Sequence, residues 1–200
     1  STMRYGGYIS GDCTIVESLK SCGKNRDAQG GARLHAMLVR KGLLEKNPYI
    51  ASSLISMYAK CGMVGKAHAI LDDLPCRNEV SWSALIAGYA QQGQGRKALD
   101  CFDHMQNEGL LPDPIAFTCV LKACGSIRDL EKGKQIHEEI ANRGFLQKDI
   151  LLGTALVDMY AKCGMLTMAA EVLNEIAART VVSWNALMDG YVQQGQACEA

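Results

Sequence analysis

The triplet His137-Glu138-Glu139 has the His-x-Glu form of a zinc deaminase, in which a glutamate moves protons to and from a zinc-bound water. That chemistry also requires a downstream Pro-Cys-x-x-Cys to complete the metal's ligands. No Cys-x-x-Cys occurs in the sequence, and the counterpart of the triplet reads His35-Ala36-Met37. No catalytic residue, metal ligand or cofactor is therefore assigned. Nine cysteines, an odd number without paired spacing, argue against a disulfide scaffold and against a zinc ribbon. The thiols are read as reduced, and Cys22, Cys61, Cys124 and Cys163 as small apolar packing residues.

A second set of reactive groups consists of hydroxyls. Ser52, Ser83, Thr118 and Thr154 each precede a helical run bearing Leu or Val. A hydroxyl in that place can bond the local backbone or face a ligand, and the residue types alone leave both readings open.

The elements that position these groups follow from a repeat. "MYAKCGM" occurs at Met57–Met63 and again at Met159–Met165, and flanking matches hold the same offset of 102 residues along the chain. "VSWSALIAGYAQQGQG" from Val80 matches "VSWNALMDGYVQQGQA" from Val182, and Trp82 and Trp184 are read as packing between repeats. Such a period is the signature of a solenoid. It divides into sub-repeats of 36, 31 and 35 residues, each with two apolar-periodic stretches around a polar or Gly turn. Val80, Trp82, Leu85, Ile86 and Tyr89 lie at helical spacing, as do Ala98, Leu99, Phe102 and Met105 before a stop at Gly109. The expectation is an all-α chain, a right-handed superhelical solenoid of helix–turn–helix repeats whose neighbours share one core.

Composition narrows the function. Lys+Arg and Asp+Glu both number 21, so the chain lacks the excess of a compact basic nucleic-acid domain, although a local basic stripe remains compatible with neutrality. No apolar run approaches the ~18 residues of a membrane helix, so no membrane partner is expected. The first residues, "STMRYGGYISG", lack the charged-then-apolar pattern of a secretory signal.

With "LKACGSIRDLEKGKQIHEEI" from Leu121, "ALVDMYAKCGM" from Ala155 and "VSWSALIAGYAQQGQGRKALDCFDHMQNEGLLPD" from Val80, the chain resembles the pentatricopeptide-repeat family, in its plant subclass of long, short and standard units. The units are read as 12–47 long, 48–78 short, 79–113 standard, 114–149 long, 150–180 short and 181–200 truncated standard, with 1–11 the end of a preceding standard unit. Both ends fall inside repeats, so a longer array is expected.

The resemblance implies binding of single-stranded RNA, one base per repeat. It implies that the fifth and last residues of a unit face the base: Ser52 with Asn78, Ser83 with Asp113, Thr118 with Asp149, Thr154 with Thr180, and Asn185. An ionised Asp only accepts hydrogen bonds and suits guanine, while an Asn amide beside a small hydroxyl suits adenine. The implied order is A, G, G, an unresolved base, then C or U. Val16, at the fifth position of the first long unit, cannot hydrogen bond and is assigned no base. Tyr49, Val80, Ile115, Leu151 and Val182 take the second position, implied to stack between bases, and Lys60 and Lys162 the implied phosphate contacts.

The resemblance further implies a mitochondrial or chloroplast setting and a role in C-to-U editing or RNA processing, with editing cofactors or a deaminase domain outside these residues. The competing expectation is a protein–protein scaffold of tetratricopeptide-like type. Cut repeat ends are also expected to promote end-to-end self-association.

Overall fold

The computed structural model describes residues 10–176 and 179–195, so the unit end read over 1–11 and the tail of the last unit lie largely outside the described residues. Among the described residues there are helices and no strands. They are α1 (Ser10–Asn25), α2 (Ala28–Arg40), α3 (Leu43–Lys46), α4 (Pro48–Lys60), α5 (Val64–Asp73), α6 (Glu79–Gln91), α7 (Gly95–Asn107), α8 (Pro114–Ile127), α9 (Leu130–Asn142), α10 (Ile150–Lys162), α11 (Leu166–Glu175) and α12 (Val181–Gln193). Two compact lobes divide after Gly88. In the first lobe α1 packs on α4, and α2, α3 and α5 also pack on α4. In the second, α8 packs on α7 and α10, and α10 packs on α12.

The helix starts follow from capping chemistry. Asn47, Asp113, Asp149 and Thr180 cap α4, α8, α10 and α12, each accepting a backbone N–H of the first turn. Pro48 and Pro114 follow two of these caps, where a missing N–H costs nothing. The second helices α2 and α9 start the same way, at Asp27 and Asp129. The one-turn α3 was not anticipated from the periodicity.

The turns inside the hairpins differ by unit. Gly62, Gly93, Gly164 and Gly195 take positive φ there, between 70° and 82°. In the two long units the same duty falls on Arg26 and Arg128, at φ 54° and 57°, one period apart.

The repeated string can now be explained. Met57 lies against Gly31 and Met159 against Gly133, where any Cβ would collide with the thioether. Tyr58 and Tyr160, 2% and 1% exposed, each share a hydrogen bond with a histidine of the preceding hairpin, His35 at 3.1 Å and His137 at 2.9 Å. The ring pairs are edge-on, with centroids 5.6 Å apart in both copies. Lys60 and Lys162 run over Gly23 and Gly125, and Cys61 and Cys163 sit on Met57 and Met159. Each string thus keys a short unit onto the long unit before it.

Of the residues placed at helical spacing, Trp82, Leu85, Ile86, Tyr89, Ala98, Leu99, Phe102 and Met105 are buried. Trp184 departs from its counterpart Trp82: it is 45% exposed against 3%. It stands on α12, the last helix described, whose packing partners among the described residues are α10 and α11.

Candidate nucleic-acid interface

The polar residue that closes each unit is held by the helix that opens the next. Asp113 accepts from Ala116 N at 2.7 Å, and Asp149 from Leu151 N and Leu152 N at 2.9 and 3.3 Å. Asn78 accepts from Ser81 N at 2.8 Å through Oδ1, and Thr180 from Ser183 N at 3.1 Å. Capping fixes one oxygen of each side chain and so fixes the side chain. An Asn or Asp used this way keeps further polar atoms for a ligand; a Thr keeps almost none.

The fifth-position hydroxyls have backbone partners. Ser52, Thr118 and Thr154 donate to the carbonyls of Pro48, Pro114 and Ile150, at 2.8, 2.8 and 2.9 Å. Their protons are directed along the helix, and their oxygens remain as acceptors. Ser52 also approaches Asn78 Oδ1 at 3.2 Å, so the fifth and last residues of 48–78 touch. Ser83 is 5% exposed, whereas Asn185 is exposed.

The second-position side chains do the opposite of what apolar side chains in a core do. Tyr49, Val80, Ile115, Leu151 and Val182 are 61, 56, 62, 71 and 64% exposed. Their neighbours at the third position, Ile50, Ser81, Ala116, Leu152 and Ser183, are buried. An apolar residue outside and a smaller or better-covered one inside recurs at every described first helix from α4 onward.

Lys60 and Lys162 are exposed at the ends of α4 and α10. Lys162 Nζ pairs with Asp158 at 2.7 Å. The counterpart of Asp158 is Ser56, so Lys60 lacks that ion pair. His137 and Glu139 are engaged structurally: the histidine with Tyr160, the carboxylate with Gln106 and Arg143.

Sequence reading missed the capping role of the unit-closing residues. The signal was available, since Asn or Asp directly before a Pro and an apolar-periodic run marks a helix start. It also missed Ser81 and Ser183, each three residues beyond such a cap.

Helical hairpins repeated at a fixed period, each set packed on the next within its lobe, define an α-solenoid. The chain belongs to the pentatricopeptide-repeat family: the PPR repeat model matches residues 49–78, 115–145, 154–180 and 182–197, and the PPR repeat family model matches 77–126. It is 38% identical over 198 residues to a chloroplastic pentatricopeptide repeat-containing protein of Arabidopsis thaliana, covering 99% of this chain and 32% of that one. A mitochondrial relative from the same plant is 36% identical over 198 residues, covering 99% and 19%. The chain therefore spans about a third or less of the length of these relatives. Among solved structures it is similar in fold to the pentatricopeptide repeat protein PPR10 from maize, with TM-score 0.72 at 18% identity over 98% of this chain and 28% of that one. The complex of PPR10 with an 18-nt psaJ RNA element gives 0.73 at 18% identity, over 97% and 29%. The nuclear proteinaceous RNase P 2 of A. thaliana gives 0.67 at 15%, over 91% and 42%.

Proposed function

We propose that this chain binds single-stranded RNA, one base to a repeat, as the recognition part of an organelle factor for C-to-U editing or RNA processing. The observation that carries this reading is the exposure of the five second-position apolar side chains beside fixed polar unit ends. Tyr49, Val80, Ile115, Leu151 and Val182 offer flat or branched apolar surface to water at regular intervals. Bases stack on such surface whatever their identity. The polar residues beside them, Asn78, Asp113 and Asp149, supply the hydrogen-bonding difference between bases. PPR10, a fold relative, forms a complex with an 18-nt psaJ RNA element, which supports the same ligand class here.

On this reading the repeats run 12–47, 48–78, 79–113, 114–149 and 150–180, followed by 181–200. Helices starting at Pro48, Glu79, Pro114, Ile150 and Val181 support that division. The base pairs of residues are Ser52 with Asn78, Ser83 with Asp113, Thr118 with Asp149 and Thr154 with Thr180, with Asn185 opening the last unit. Lys60 and Lys162 contact phosphate. The chain recognises and does not catalyse, and chemistry belongs to segments or partners outside it. A chloroplast or mitochondrial setting is supported by the relatives' names.

The test is binding to labelled single-stranded RNAs carrying A-G-G-N-Y, with A/G swaps, across a salt series. Selectivity that follows the swaps supports base readout. Salt-sensitive binding without selectivity reduces the function to backbone contact. Absence of binding, in this stretch and in a longer array, favours the protein scaffold. The exposed apolar side chains Trp184, Met188 and Val192 of α12 support end-to-end self-association. A monomer mass that stays constant on concentration in light scattering would count against it.

A further inference from the structure

The unit 12–47 closes on Asn47, and both ends of that amide are held. Its Oδ1 accepts the backbone N–H of Tyr49 at 3.0 Å, and its Nδ2 donates to Oδ2 of Asp12 at 3.1 Å. The two bonds agree on one orientation, since a backbone N–H only donates and a carboxylate only accepts. Asp12 stands in the first turn of α1 and is half-buried. It lies one helical turn before Val16, so the two share a face of the helix. Val16 occupies the fifth position and offers no hydrogen bond. The polar group missing at Val16 is thus present one turn earlier, against the last residue of the same unit.

We propose that Asp12 is a specificity-determining residue for repeat 12–47: paired with Asn47, it lets that repeat take guanine. The inference rests on the RNA reading above, under which the last residue of a unit and the face of Val16 meet the base. With the bond between them made, Asn47 keeps one amide hydrogen, and Asp12 keeps Oδ1, which has no partner among the described residues. Side by side, the pair presents one donor and then carboxylate acceptors. Guanine offers the complement on its pairing edge: O6 accepts, while N1–H and the 2-amino group donate. Adenine would place its N1 acceptor against the carboxylate and is disfavoured, because two acceptors meet with no proton between them.

Two contrasts within the chain isolate Asp12. Its counterpart one period later is Pro114, which has no polar side chain, and Asp149 closes that unit with bonds to the backbone N–H groups of Leu151 and Leu152. In 48–78 the closing Asn78 is met from its oxygen end, by Ser52 Oγ at 3.2 Å. A hydroxyl against the oxygen leaves the amide N–H groups to face a base, which suits adenine. A carboxylate against the nitrogen adds acceptors, which suits guanine. Two units with the same closing residue therefore select different bases, because a different side chain of the first helix meets the amide.

The experiment measures base preference at the nucleotide 5′ of the one assigned to 48–78, in labelled N-A-G-G-N-Y RNAs. It uses the whole chain as wild type, Asp12→Ala, Asp12→Asn and Asn78→Asp, with thermal melts alongside. Wild type should prefer G over A at that nucleotide by about fivefold or more. Asp12→Ala and Asp12→Asn should both remove the preference, the first by deleting the acceptors and the second by replacing one of them with a donor. Both should keep the preference for A at 48–78, since Ser52 and Asn78 are untouched, while Asn78→Asp should shift only the latter. Indifference of wild type at the 5′ nucleotide, with the A preference at 48–78 present, overturns this inference alone. So does a G preference that survives Asp12→Ala. Loss of both preferences in Asp12→Ala, with a lowered melting point, also overturns it, since the carboxylate would then act on the fold of the lobe and not on one base. No base preference at any unit overturns the RNA reading as well.

Discussion

The hydroxyl of Tyr160 lies 2.9 Å from Nδ1 of His137, and the pair recurs one period earlier as Tyr58 and His35 at 3.1 Å. In each copy the bond joins the first helix of a short unit to the second helix of the long unit before it. Removing the phenol oxygen leaves a half-buried imidazole nitrogen unpaired. Tyr160→Phe should cost about 1 kcal/mol, read as a melting-point drop of about 2–4 °C for a chain of this size. Tyr58→Phe should do the same, and the double variant should be close to additive because the pairs share no partner.

The same histidines make stability depend on pH. Burial lowers the pKa of both, with Lys66 adding to the effect at His35 while Glu175 and Glu138 oppose it at His137. As pH falls below the ordinary histidine value of about 6.5, the unfolded chain takes up protons that the folded chain refuses. Stability is therefore full above that value and declines below it. Melts between pH 8 and 5 should show the decline, and His35→Gln with His137→Gln should flatten it.

Two glycines of the first lobe should respond to alanine with opposite signs. At Gly88 a Cβ would fall 2.7 Å from Ala59 Cβ and 3.3 Å from Val64 Cγ2, with no long side chain to swing away. Gly88→Ala should destabilise by about 1–3 kcal/mol. At Gly65, in α5, a Cβ meets nothing within 4 Å. Gly65→Ala should stabilise by about 0.5–1 kcal/mol through helix propensity. Urea midpoints of the two variants give the test.

Arg128 holds a left-handed conformation that four hairpin turns give to glycine. A non-glycine residue there costs about 1 kcal/mol. Arg128→Gly should raise the urea midpoint, and Arg26→Gly should raise it by a similar amount.

The two repeated lysines should separate in RNA binding. Each phosphate contact contributes about 0.7 to the salt slope of single-strand binding. Lys60→Ala should reduce the slope by about that much. Lys162 is already paired with Asp158, so Lys162→Ala should reduce it less, and Asp158→Ser should raise the slope toward that of an unpaired lysine.

How much of this was legible in the sequence depends on the link. The period of 102, the helical spacing of Leu85, Ile86 and Tyr89, and the Gly stops determined an all-α array of hairpins, because those patterns record which residues each helix must bury. The cap residues were also present as a local signal at Asn47-Pro48 and Asp113-Pro114. Local sequence could not say which apolar residues a neighbouring repeat covers. Val80 and Leu85 look equivalent on one helix, yet one is 56% exposed and the other fully buried. Nor could it say that Ser81, Asn78 and Ser52 meet, since Ser52 stands 26 residues before Asn78 and reaches it only through the packing of successive repeats. Burial and long-range hydrogen bonds belong to pairs of elements, so tertiary structure alone decided which side chains are left free to meet a ligand.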